Sequence, residues 1–237
     1  MSNDGLAAAL QHLDHLAAMP SASERVAEVL RQQIVGGAIR SGTRLTEETI
    51  SARIGFSRNT IREAFGMLVA ERLAVREPHR GVFVATPSRG DIQDLYATRQ
   101  LIEPAALEFG PGCSPEAVAQ LRAIVVAARE GRDAGRPEAV AEANQRFHLA
   151  VARMGRSVRA DQLMLGVLTE MRLVFHLMDD DRRFHEPYLE RNAAIVDLLE
   201  QDRRPEAAAA LREYLADAER QLVEALDTDW ADRARRS

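Results

Sequence analysis

Past Pro20 the apolar positions recur at a helical period. Val26, Val29, Leu30 and Ile34 share one face, Ser21 and Ser23 stand where a helix is capped, and Gly36-Gly37 ends the run. A second helix is predicted from Thr46, with Glu47 and Glu48 in a first turn whose dipole favours anions, and Gly55 closes it. Ser57 caps a third helix with the stripe Ile61, Ala64, Phe65 and Leu68. Leu73–Arg76 and Val82–Val84 then read as strands, joined by the turn Pro78-His79-Arg80-Gly81.

Three helices and a hairpin in about 65 residues are the parts of a winged helix-turn-helix, and the short Gly55-Phe56 joint between the second and third helices suits it. Residues 1–19, with Leu6, Leu10, Leu13 and Leu16, read either as a short extra helix or as an arm. From Thr86 the pattern changes. Thr86 to Asp91 has linker composition, and after it only helical stripes follow.

Those stripes are Ile92, Leu95, Ile102, Ala106; Val118, Leu121, Val125, Ala128; Val140, Phe147, Val151; Met164, Val167, Leu168, Met171, Val174, Phe175, Met178; Leu189, Ile195, Val196, Leu199; and Leu211, Leu215, Ala218, Leu222. Breakers separate them at Pro111, Gly135–Pro137, Gly155, Pro187 and Pro205. Six helices with short connections predict an antiparallel all-α bundle. The fold expected is mainly α: an extension (1–19), a winged helix-turn-helix (20–86), a helical bundle (87–230) and a tail (231–237).

Charge supports this division. The chain carries 31 basic residues, all arginine, and 36 acids, for a net charge of -5. Residues 20–86 hold ten Arg and seven Glu, which is +3, against an acidic remainder. A basic amino-terminal module points to nucleic acid. Absence of lysine excludes a P-loop or Schiff-base lysine. Cys113 is the only cysteine, which excludes an internal disulfide and a cysteine-cluster zinc site and fits a reducing cytoplasm. Residues 1–20 lack a basic n-region, and no apolar run reaches the ~18 residues of a membrane span. The chain has no Gly-x-Ser-x-Gly, His-Glu-x-x-His or Rossmann glycine pattern, so an enzyme is not expected.

Arg58, Asn59, Thr60 and Arg62 crowd the exposed side of the third helix's first turns. That is where a recognition helix meets base edges, and a guanidinium fork bonds guanine O6 and N7 with ~1–3 kcal/mol of discrimination. Ser57 and the helix N-terminus suit a phosphate, and His79 and Arg80 stand at the hairpin tip. The plainer alternative is a solvated basic face.

The stretch Leu30-Arg31-Gln32-Gln33-Ile34, Gly36, Ile39, Gly42-Thr43-Arg44-Leu45-Thr46-Glu47, Gly55-Phe56-Ser57-Arg58-Asn59-Thr60-Ile61-Arg62-Glu63-Ala64, Leu68 and Gly81-Val82-Phe83-Val84 resembles the DNA-binding domain of GntR-type bacterial transcription regulators. The resemblance covers about residues 23–85. It implies that Arg58 and Arg62 read bases or phosphates, that Ser57 and Thr60 touch the DNA backbone, and that His79, Arg80 and Gly81 form the wing contact. Arg44, Thr46 and Asn59 complete the implied DNA-binding set. Ser41-Gly42 replaces the usual Pro-Gly, and the acidic Glu48 stands where some members carry a DNA-contacting arginine.

In the bundle, polar residues occupy apolar stripes: Arg99, Asn144 with His148 one turn on, Asn192, and Tyr214. Buried unpaired polar groups cost ~1–3 kcal/mol each, so these either satisfy one another or surround a polar ligand. Asp94–Glu103, Asn144–His148, Asn192–Ile195 and Tyr214 resemble the FadR-like branch with its all-helical FCD effector domain, over about residues 91–222. Many members bind a divalent metal through one Asp and three His. The matching positions here are Asn144, His148, Asn192 and Tyr214, so only one ligand remains. Amides and a phenol suit a dication poorly, and no metal or other cofactor is expected.

Arg99 matches a position that in this branch often meets an effector carboxylate. The resemblance thus implies an acidic metabolite on Arg99, with Asn144, His148, Asn192 and Tyr214 donating or accepting hydrogen bonds, although Glu103 could neutralise the arginine instead. The expected function is a ligand-responsive transcription regulator, a repressor, that binds a palindromic operator in duplex DNA as a homodimer. The alternative is a regulator of the same fold that is ligand-free or modulated by metal.

Overall fold

The computed structural model describes residues 20–177 and 184–236, with side chains of the last helix through residue 226. The leucine repeat of residues 1–19 and Met178 lie outside the described residues. The chain forms two compact units, Met1–Ala85 and Thr86–Ser237.

The first unit runs α1 (Ala22–Val35), β1 (Arg44–Leu45), α2 (Glu47–Ile54), α3 (Arg58–Ala70), β2 (Ala74–Glu77) and β3 (Gly81–Val84). Ser21 and Glu24 form a reciprocal capping box that starts α1. Ser23 is inside the helix and buried. Val26, Ala27, Leu30 and Ile34 of α1 bury against Ile61, Ala64, Phe65 and Leu68 of α3. A fully buried side chain of that size contributes ~1.5–3 kcal/mol. The Arg31 guanidinium forks onto the Glu71 carboxylate at 2.7 and 2.6 Å, fixing α1 to the end of α3.

The sheet has a third strand that the sequence pattern does not announce. β1 pairs antiparallel with β3 (Arg44 opposite Phe83, Leu45 opposite Val82), and the order is β1-β3-β2. A two-residue strand has no room for alternation. It exists because β3 offers a backbone edge, and the Gly42 N–H donates to the Val84 carbonyl at 3.0 Å.

Among the described residues the second unit has six helices: α4 (Arg89–Phe109), α5 (Pro115–Asp133), α6 (Pro137–Arg153), α7 (Val158–Leu177), α8 (Glu186–Glu200) and α9 (Arg204–Arg236). The expected linker 86–91 is shorter than its composition suggests. Ser88 caps α4 and the Asp91 carboxylate accepts from the Ser88 N–H, so Arg89, Gly90 and Asp91 are helical. The backbone of 231–236, expected as a tail, continues α9.

Helix α9 packs along α4 and α8, α5 along α6 and α8, and α6 against α4 and α7. The core includes Leu107, Leu121, Phe147, Val151, Val196, Leu211 and Leu215, all fully buried. Gly110 follows the end of α4, where a Cβ would stand 2.1 Å from the Ala106 carbonyl oxygen, so no larger residue fits. Arg204 of α9 donates to the carbonyls of Leu107 (2.8 Å) and Gly110 (2.7 Å), partnering oxygens that the helix end leaves over.

Candidate functional sites

The first site is the start of α3. Ser57 takes extended backbone angles and its Oγ accepts from the Thr60 N–H at 3.1 Å, while the two hydroxyls lie 2.8 Å apart. This cap leaves Arg58, Asn59 and Arg62 on the open face. The Arg58 and Arg62 side chains are 62% and 55% exposed.

Neither arginine is without a counter-ion. Arg62 lays its fork on Glu47 of α2 at 2.9 and 2.8 Å, and this bond holds the Glu47 carboxyl below its ordinary range. Arg58 stands 3.8 Å from Glu48. Asn59 donates to Glu63 at 3.1 Å. The acids of α2's first turn, read in the sequence as dipole partners, thus also position the arginines of the next helix.

Thr46 precedes α2 with its hydroxyl turned to the Thr49 hydroxyl, 2.7 Å away. In the wing, His79 and Gly81 take positive φ angles of 62° and 115°. A Cβ on Gly81 would meet the Arg44 guanidinium at 3.4 Å, so Arg44 of β1 lies against the turn. Arg80 pairs with Glu77, and its guanidinium stacks 5.4 Å from the centre of the Phe83 ring. The ten candidate DNA-binding residues therefore sit on α3 and its cap, at the start of α2 (Thr46), or on the wing with its neighbouring strand.

The second site lies inside the bundle. Arg99, Asn144, His148, Asn192 and Tyr214 are each at most 8% exposed and come from α4, α6, α8 and α9. One hydrogen-bonded chain joins all five through a sixth residue, Glu103. Arg99 Nε donates to Glu103 Oε1 at 2.6 Å. Glu103 Oε2 lies 2.6 Å from His148 Nδ1, and His148 Nε2 lies 2.9 Å from the Tyr214 hydroxyl. The Tyr214 hydroxyl lies 3.2 Å from Asn144 Oδ1, which accepts from Asn192 Nδ2 at 2.8 Å; its single proton serves either His148 Nε2 or Asn144 Oδ1.

Burial works against every charge here. It raises the Glu103 carboxyl, but Arg99 and His148 together outweigh it and the net shift is downward. For His148 burial dominates and lowers the imidazole, only partly offset by Glu103. The Tyr214 hydroxyl is pushed up by burial, so it stays protonated. The core thus holds one buried cation, Arg99, and one buried anion, Glu103. Arg99 Nη1 meets the Met171 sulfur at 3.3 Å and the guanidinium stacks 4.9 Å from the Tyr96 ring centre.

His185, at the start of α8, belongs to this site and has no counterpart among the sequence candidates. It is 5% exposed, packed edge-on against Phe175 with ring centres 4.5 Å apart, and burial pushes its pKa down to about 3. It stands outside any helical stripe, so periodicity gives no signal. His185, Asn144 and Asn192 line a small cavity together with the apolar side chains of Val125, Ala128, Val140, Phe147 and Leu189. Among the described residues, three polar atoms of this core lack a partner: Arg99 Nη2, Asn192 Oδ1 and His185 Nδ1.

The donor set does not suit a divalent cation. At the four positions read from the sequence, two amides and a phenol accompany one imidazole; both nitrogens of that ring are engaged, by Glu103 and Tyr214, and Glu103 is itself held by Arg99. No helix among the described residues is long and apolar enough to cross a membrane.

Comparison with known proteins locates both units. The family model described as bacterial regulatory proteins of the gntR family matches residues 22–84. The FCD domain model matches residues 94–217. The gluconate operon transcriptional repressor of Bacillus subtilis is 39% identical over 88 residues, which are 37% of this chain and only 36% of that protein's own length. The galactonate operon transcriptional repressor of Escherichia coli K12 is 27% identical over 228 residues, 85% of this chain and 97% of that protein. A GntR-type crystal structure from Rhodococcus sp. RHA1 is 40% identical, with TM-score 0.78, over 85% of this chain and 97% of that one.

Proposed function

The chain belongs to the gntR family of bacterial regulatory proteins and is a DNA-binding transcription regulator with an FCD effector domain, not an enzyme; on that premise we propose that it is a repressor that binds a palindromic operator as a homodimer and is modulated by a small metabolite in the bundle core. The observation that carries the DNA half is the capped start of α3, with Arg58 and Arg62 exposed above it. A dimer presents two such helices about one DNA turn apart, which calls for a two-fold symmetric site. Apolar side chains left exposed on α4 (Leu101, Phe109) and α7 (Val158, Leu163, Leu165) support a partner copy on the bundle.

The effector half is supported by the unpartnered buried atoms at Arg99, Asn192 and His185, which a ligand would satisfy. The carboxylate expected from Arg99 is not retained, because Glu103 already supplies that arginine's counter-charge. No metal takes part in this reading, since the donor set suits none. Repression fits the named roles of the gluconate and galactonate relatives.

The test is fluorescence anisotropy with the promoter fragment of the protein's own gene. Wild type binds it in preference to scrambled duplex, and Arg58→Ala/Arg62→Ala does not. Native selectivity in that double variant would overturn the DNA half. Asn192→Leu is expected to keep DNA binding and lose metabolite-induced release. A metabolite panel that leaves DNA affinity unchanged would remove the effector half.

A further inference from the structure

Two acids open α2, and they differ in what they hold. Glu47 lays both oxygens on the Arg62 fork, and its side chain is 30% exposed. Glu48 is 82% exposed. Among the described residues its ion-pair partner is Arg58, whose Nη2 stands 3.8 Å away, too far for a hydrogen bond. Arg58 therefore keeps its donors, and Glu48 its acceptors, side by side on the open face at the start of α3.

An anion on a surface that meets duplex DNA is costly unless the DNA donates to it. Phosphates repel it, and an ionised carboxylate only accepts hydrogen bonds. In the major groove guanine shows N7 and O6 and thymine shows O4, all acceptors; the donors are the exocyclic amines of cytosine and adenine. Adenine sets its N7 acceptor beside that amine, where it repels the second carboxylate oxygen, so cytosine is the better match.

We propose that Glu48 is a base-reading residue: it accepts a hydrogen bond from the N4 amine of a cytosine in the pair next to the guanine that Arg58 reads, so that two side chains of opposite charge form one reader. The proposal rests on the DNA-binding reading above and adds a sequence requirement to it. The 3.8 Å between the two heads is close to the about 3.4 Å between successive bases of a strand, so a fork on one guanine edge sets the carboxylate level with the adjoining pair. Glu47 has no such role, since its oxygens are engaged by Arg62.

The experiment is enrichment of binding sites from a library of random duplexes by the full-length protein, with wild type, Arg58→Ala, Glu48→Ala and Glu48→Gln in parallel. Wild-type sites are expected to carry a guanine that Arg58→Ala no longer requires, with a cytosine in the adjoining pair. Glu48→Ala keeps the guanine and accepts any base in place of the cytosine. Glu48→Gln shifts that position toward adenine, whose N6 and N7 match an amide, and it keeps the native side-chain size should Glu48→Ala not fold. On single duplexes, exchanging that cytosine for thymine is expected to weaken wild type about tenfold and Glu48→Ala less than about twofold.

A cytosine preference that survives both Glu48 variants overturns the proposal. So does a guanine with no cytosine beside it in the wild-type sites. A Glu48→Ala that relaxes the guanine alone also overturns it and makes Glu48 a positioning residue for Arg58. In all three cases the DNA-binding reading stands. Enrichment of the wild-type sites by Arg58→Ala, unchanged, brings down the reader assigned to that arginine and this proposal with it.

Discussion

Glu47 and Arg62 are joined by a two-pronged ion pair that bridges α2 and α3, so an acid at the start of one helix aims an arginine on the face of the next. The pair is open to water, so its contribution is direction more than stability. Glu47→Gln is expected to raise affinity for duplex DNA of any sequence, because a negative charge facing phosphates is gone. It is expected to lower the ratio of operator to random binding, because Arg62 loses its fixed direction. Anisotropy titrations against both duplexes check this; unchanged selectivity would show that the pair does not orient a reader.

Removing Arg58 or Arg62 singly should weaken operator binding by about tenfold to a hundredfold if each reads a base, with loss of discrimination at one position per half-site. A phosphate contact instead weakens all sequences alike and reduces the salt slope by about 0.9. The salt dependence of each alanine variant separates the two roles.

Ser57 carries the N-terminal turn of α3. Ser57→Ala is expected to destabilise the amino-terminal unit by ~1 kcal/mol through loss of the cap. DNA affinity should fall as well, because the same turn holds Arg58. Ser57→Asp should restore stability, since its carboxylate caps equally well, but not affinity, since it repels phosphate. Urea unfolding and DNA titration of the two variants give the answer.

Acid should weaken the fold in a defined window. His185 titrates at about 3 in the folded chain because burial, aided by Arg172, His148 and Arg99, disfavours its cation. The unfolded chain takes up that proton near pH 6.5. Its pKa is lowered on folding, so stability is unaffected above about 6.5 and falls as pH drops from there toward 3. The slope is ~1.4 kcal/mol per pH unit for one such group. Glu103, also lowered on folding, withdraws its contribution only at more acid pH. Denaturation at pH 7.5, 6 and 5 is expected to show about 2 kcal/mol lost by pH 5 through His185, with His148, also lowered by burial, adding to the loss below its ordinary value, and a shallower slope in His185→Phe.

Metal should not bind tightly. Zn²⁺ or Ni²⁺ titrated into chelator-treated protein is expected to show no submicromolar site. A submicromolar site that disappears in His148→Gln would mean that the imidazole exchanges its bond to Tyr214 for a metal, and the metal-modulated alternative would then hold.

Helix positions, caps and the inward polar residues were legible because each is a local pattern. Ser57 and the stripe from Ile61 to Leu68 announce α3, and Arg99, Asn144, His148, Asn192 and Tyr214 break apolar stripes at countable intervals. What was not legible depends on partners distant in the chain. Strand β1 exists only because β3 needs an edge partner. Glu103, one turn from Arg99, was legible as a possible counter-ion, but the choice between it and a ligand's carboxylate is made by the Glu103 rotamer. His185 sits in no periodic element, and its burial comes from Phe175 and Phe184 packing against its ring.

The early start of α4 has a mechanical consequence. Only four residues, Ala85 to Ser88, separate the last wing strand from the rod that bears both Arg99 and Glu103. Four residues reach at most about 14 Å when stretched, which is a short leash. If effector binding moves α4, inserting glycines between Ala85 and Ser88 is expected to weaken its effect on DNA affinity while leaving each unit whole; an unchanged effect would show that the tether does not carry the signal.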